Sequence, residues 1–101
     1  MAAINISNNN FHDEVVNSEK KVLLDFWSPR CGPCRMVLPL VSEIAKERSD
    51  IKVAKINVDE NPELASQFSI MTIPTLMVME KGRILNQAVG LRSKNAILAM
   101  L

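Results

Sequence analysis

The chain has 101 residues, 48% of them hydrophobic, with 12 basic against 11 acidic side chains and a net charge near +1. That length makes residues 1–101 one domain around one core, and so even a charge balance gives no electrostatic case for nucleic acid or an anionic membrane as partner. No apolar run approaches the roughly 18 residues needed to span a bilayer, and Met1-Ala2-Ala3-Ile4 lacks the basic and apolar regions of a secretory signal. A cytoplasmic monomer is therefore expected, with a processed organellar form as the other compatible origin.

Ile4 and Ile6 read as a short first strand. Ser7 is placed to cap a helix over 8–17, with Phe11, Val15 and Val16 turned inward and His12, Asp13 and Glu14 on the solvent side. A polar link, Ser18-Glu19-Lys20, leads into the apolar run 21–27, short enough for a buried strand. Over 31–48, Val37, Leu40, Val41, Ile44 and Ala45 recur at three- and four-residue spacing, with Glu43, Lys46 and Glu47 opposite, as an amphipathic helix requires. Pro39 inside it removes a hydrogen bond and predicts a bend. Residues 51–58 read as a strand, and Asn61-Pro62 as a capped helix start running to 68. Residues 75–79 and 83–89 form a hairpin through the tight turn Lys81-Gly82. Gly90 ends that hairpin, and Ser93 caps a last helix, 94–101, with Ile97, Met100 and Leu101 inward. The six methionines, Met77 and Met79 among them, read as core filling. The order β-α-β-α-β-α-β-β-α is an α/β pattern. Right-handed crossovers give parallel pairs and the hairpin adds antiparallel ones, so a central mixed β-sheet with helices on both faces is expected.

Both cysteines, Cys31 and Cys34, fall where the strand 21–27 gives way to the long helix. The first turn of a helix offers unpaired N–H groups and the positive end of the macrodipole, and both stabilise a thiolate. A stabilised thiolate is the nucleophile of disulfide exchange. A bridge closing so small a loop removes little unfolded-state entropy, which argues against a structural staple. Structural zinc needs four ligands, but there is no second cysteine pair and His12 is the only histidine. Redox chemistry fits this pair best. Cys31, nearer the helix end, is the expected nucleophile, and Cys34, one turn further in, the shielded resolving thiol. Gly32 and Pro33 add no charge to stabilise the thiolate, and so favour a reductant over an oxidant.

Phe26-Trp27 followed by Cys31-Gly32-Pro33-Cys34 and Arg35-Met36 resembles the active site of the thioredoxin family. Further landmarks follow in the same order: Val53 to Asn61-Pro62, Ile73-Pro74-Thr75, Gly82 and Gly90. The resemblance runs from about Lys21 to the end and implies the thioredoxin fold. It implies a protein-disulfide reductase that maintains cell redox homeostasis. No bound cofactor is then needed, because the Cys31–Cys34 dithiol/disulfide is the redox group. The implied partners are disulfide-containing target proteins and a thioredoxin reductase, NADPH- or ferredoxin-dependent, that restores the dithiol.

Asp25 stands among Val, Leu and Phe, where burial would raise its pKa; the other reading is that the strand ends early and Asp25 is hydrated. The resemblance matches it to a buried general base for the resolving cysteine, with Lys55 as the lysine that tunes it. Sequence physics alone makes the Ile73–Pro74 bond trans, whereas the resemblance implies cis. It also implies a docking surface of Trp27, Ile73, Pro74, Gly90 and Leu91 beside the cysteines, while Ile73 and Leu91 read alone are equally good core residues. One position departs from the family: Arg30 stands where a second tryptophan is usual. A cation there either favours the Cys31 thiolate and acidic targets or is screened by solvent. Two other functions remain: an oxidoreductase with a narrow client range, and a binding subunit, which would survive loss of both cysteines.

Overall fold

The computed structural model describes residues 2–101. Five strands, β1 (Ile4–Ile6), β2 (Lys21–Trp27), β3 (Ile51–Asn57), β4 (Thr75–Glu80) and β5 (Arg83–Val89), form one sheet in the order β1-β3-β2-β4-β5. β1 and β2 both pair parallel to β3; β4 runs antiparallel to β2 and to β5. Three α-helices are present among the described residues, α1 (Gly32–Glu47), α2 (Pro62–Gln67) and α3 (Lys94–Leu98). This is the expected mixed sheet, and the element order agrees.

Strand alternation splits the core into two layers. Val22, Leu24 and Phe26 of β2 pack with Phe11, Val15 and Leu64 on one face. Leu23 packs on the other with Val37, Val41, Ile44 and Ala45 of α1 and Ile97 of α3. Asp25 has the parity of Leu23 and so faces the α1 layer. Met77 and Met79 are buried in the first layer, as core filling.

The helix expected over 8–17 is shorter and wider than the periodicity implied. Residues 8–10 form a turn and His12–Val16 a π-helix, closed by the Asn17 N–H on the His12 carbonyl at 2.9 Å. Ser7 Oγ accepts from the Asn9 N–H and serves that turn, without capping the helix. Asn61 stands at the start of α2 but makes no cap either. Its side chain ties the backbones of Asn57 and Asn8 together. α3 stops at Leu98, and the Met100 and Leu101 N–H groups tighten onto Ile97 and Leu98, so the helix expected to 101 ends in a turn. Its Ser93 cap is present, on the Ala96 N–H at 3.1 Å. Pro39 lies on the exposed side of α1, which runs through it as one helix.

Candidate functional site

Cys31 is the N-cap of α1 rather than its first helical residue. The Cys34 N–H points at Cys31 Sγ from 3.2 Å, and the Cys31 N–H bonds the Ser28 carbonyl at 3.1 Å. A helix entered in this way aims its free donors at the outer sulfur. The two cysteines form a disulfide with their Cα atoms 5.2 Å apart. Cys31 is half-buried and Cys34 is 0% exposed, so only the outer sulfur can be reached from solvent. Pro33 sits in the first turn, where a missing N–H costs no helix bond. A side chain on Gly32 would meet nothing within 4 Å, so close packing does not explain the glycine.

The Ile73–Pro74 bond is cis, and the Ile73 carbonyl oxygen lies 3.8 Å from Cys31 Sγ. The Gly90 N–H bonds the Pro74 carbonyl at 2.8 Å, which joins the end of β5 to this loop. Gly90 has φ +94°, a conformation that suits glycine. Trp27 and Ile73 are half-buried, Pro74 is buried and Leu91 is 44% exposed, so Leu91 is not core. Beside Ile73 a cleft of about 460 Å³ opens between Val58, Pro62, Ala65, Ile70 and Met71.

Asp25 is 0% exposed, so the strand does not end before it. Neither carboxylate oxygen has a hydrogen-bond partner among the described residues. Burial pushes its pKa up to about 7, and Lys55, its register neighbour on β3, opposes that shift. Lys55, Trp27 and Asn57 line a separate polar cleft of about 480 Å³.

The Arg30 side chain is 82% exposed and bound by two nitrogens to Asp59, Nη2 at 2.9 Å and Nε at 3.3 Å. Ser28 Oγ donates to the same carboxylate at 2.7 Å and accepts the Arg30 N–H at 3.2 Å. Arg30, and then Ser28, hold Asp59 below the usual carboxylate range. Ser28, Asp59 and Met71 were not singled out from the sequence. Ser28 and Asp59 are 31 positions apart, and no local pattern links them. Among the described residues no group of three or more His, Cys, Asp or Glu is placed to hold a metal, and no helix is long and apolar enough to cross a membrane.

The thioredoxin family model matches residues 2–101. Thioredoxin 1 of Nostoc sp. is 47% identical over 97 residues, covering 95% of this chain and 91% of its own. Thioredoxin 1 of Synechococcus elongatus is 51% identical over 88 residues, covering 86% and 82%. Thioredoxin of Pyropia yezoensis is 44% identical over 102 residues, covering 100% and 95%. An accessible sulfur bridged to a buried one, carried on this fold and by these similarities, is the redox group itself: the chain belongs to the thioredoxin family and is a protein-disulfide reductase that passes electrons to disulfide-containing targets and is restored by a reductase.

Proposed function

We propose that Cys31 is the nucleophile, Cys34 the resolving thiol and Asp25 the general base, with Lys55 tuning that base. In the reduced protein the Cys31 thiolate attacks one sulfur of a target disulfide. A Cys31–target mixed disulfide forms and the other target sulfur leaves as a thiolate. Asp25 then takes the Cys34 proton, and the Cys34 thiolate attacks Cys31 Sγ. The target's second sulfur leaves, the Cys31–Cys34 bridge closes, and two electrons have passed to the target. The observation that carries this reading is the contrast between the two sulfurs, one half-exposed at a helix N-cap and one wholly buried.

The target segment docks in extended form along Ile73, whose carbonyl lies beside Cys31 Sγ, with Trp27, Pro74, Gly90 and Leu91 forming the rest of the surface. Gly32 and Pro33 keep the pair reducing. The protein works as a cytoplasmic monomer and draws electrons from an NADPH- or ferredoxin-dependent reductase, with neither nucleic acid nor membrane as partner. Insulin disulfide reduction with a reductase and NADPH, wild type against Cys31→Ser, tests the assignment. Turnover lost with Cys31 supports it. Turnover that survives Cys31→Ser, or a biological role retained by a cysteine-free variant, sinks it.

A further inference from the structure

Most acidic side chains of this protein lie away from the cysteines. Glu43 and Glu47 hold Lys94, Asp50 holds Arg48, and Glu14 holds Lys52. Glu80 ends β4, the strand antiparallel to β2, and so sits at the edge of the sheet opposite Cys31. On the Cys31 side, Asp59 is taken up by Arg30 and Ser28, Glu63 accepts from Asn8, and Glu60 borders the polar cleft with Asn5 and Lys55. Two exposed arginines stand on segments tied to the cysteines through the backbone, and neither has an ion-pair partner among the described residues. Arg35 lies one helical turn beyond Cys31, its N–H on the Cys31 carbonyl at 3.3 Å. Arg92 is two residues past Gly90, which is bonded to Pro74. The neighbour of each in sequence is apolar and exposed, Met36 at 59% and Leu91 at 44%.

Resting on the disulfide-exchange reading, we infer that Arg35 and Arg92 make this protein select target disulfides flanked by aspartate or glutamate, and that Asp59 keeps Arg30 out of this set. A target segment laid along Ile73 carries its residues on either side of the cysteine past the two free guanidiniums. Rim charges of this kind act on encounter and orientation more than on the chemical step. Arg30 is the cation nearest Cys31 in sequence, but its charge is met by a carboxylate at 2.9 Å. The two unpaired arginines further along are therefore the active ones.

The test uses the pre-reduced full-length protein and oxidised disulfide peptides identical except for flanking residues that are aspartate, serine or lysine. Second-order rates are read in single turnover, at about 20 mM and about 200 mM salt, near the two ends of effective screening. The expected aspartate-over-serine preference is about five- to tenfold at the lower salt, falling toward twofold at the higher, since two exposed pairs contribute a few-fold each. Arg35→Gln/Arg92→Gln should bring the ratio to about one, whereas Arg30→Gln, which leaves Asp59 without its cation, should lower the ratio by no more than about two- to threefold. Asp59→Asn should raise the ratio by a further two- to threefold, about the worth of one exposed pair, and adding Arg30→Gln should cancel that gain. A wild-type ratio at or below one, or a preference that survives Arg35→Gln/Arg92→Gln, overturns the inference. An Asp59→Asn ratio equal to wild type overturns the role given to Asp59. Equal reaction of all peptides refutes selectivity alone, whereas no reaction with any of them refutes disulfide exchange and the inference with it.

Discussion

Replacing Asp25 with asparagine keeps the shape of the side chain and removes its ionisation. In the folded protein this carboxyl titrates near 7, against 3.8 ordinarily, because it is buried without a hydrogen-bond partner. Between those values the folded state holds a proton that the unfolded chain has released, so stability falls as pH rises. The loss begins near pH 4 and is complete once pH has passed the folded value of about 7. The gap of roughly three between the two pKa values corresponds to about 4 kcal/mol, at about 1.4 kcal/mol each. Asp25→Asn should therefore match the wild type near pH 4 and exceed it by about 4 kcal/mol at pH 9. With a urea slope of about 1–2 kcal/mol/M, the midpoint should move by about 2–4 M. Carboxylates held low in the folded state, Asp50, Asp59 and Glu63, stabilise it above their unfolded pKa and lose that effect in acid. They are common to both proteins and cancel in the difference. Urea melts of the oxidised forms between pH 4 and 9 make the comparison. Parallel profiles for the two proteins would refute a buried, unpaired, ionisable Asp25.

Asp25→Asn should also slow release of the mixed disulfide by about a hundredfold or more, the usual weight of a general base. The fluorescence of Trp27, the only tryptophan, reports it in stopped flow; an unchanged rate removes Asp25 from the proposed mechanism. Ile97→Ala empties a fully buried site under α1 and should cost about 2–5 kcal/mol, read from the denaturant midpoint. Gly90→Ala meets no atom within 4 Å, so its cost of about 1 kcal/mol should come from the positive φ alone. Ser93→Ala removes the cap of α3 and should cost about 0.5–2 kcal/mol.

The parts of this protein legible in the sequence are those fixed by periodicity over many residues. β2 and α1 carry long apolar patterns that only one layering satisfies, and the two cysteines fall at their junction. The ends were less legible. Asn61 has the residue type of a cap, but two backbones elsewhere compete for its amide and win. α3 ends early because its last residues close onto the preceding turn. The π-helix at 12–16 carries inward residues that a regular helix would also turn in, so periodicity cannot tell the two apart. At the site, the depth of Asp25 was a balance between two readings until the sheet had closed around it. The pairing of Arg30 with Asp59 depends on the register of β2 against β3, which no local pattern encodes.

Under the proposed mechanism Asp25 also joins stability to function. In that mechanism the wholly buried Cys34 must lose its proton to a base before it attacks Cys31. A solvated carboxylate would already be ionised at neutral pH, yet with an ordinary pKa it would be too weak a base to help much. Burial raises the pKa to about 7, where a base is both substantially available and strong. The same burial makes the ionised carboxylate a burden on the fold above that pH. Any change that rehydrates Asp25, such as Leu23→Ala on its own strand or Leu76→Ala opposite it on β4, should lower its pKa. Part of the lost packing would then be recovered at high pH, while resolution of the mixed disulfide slows. Excess stability at alkaline pH and fast resolution should therefore exclude one another in variants of this site, because both are set by how dry one carboxylate is kept.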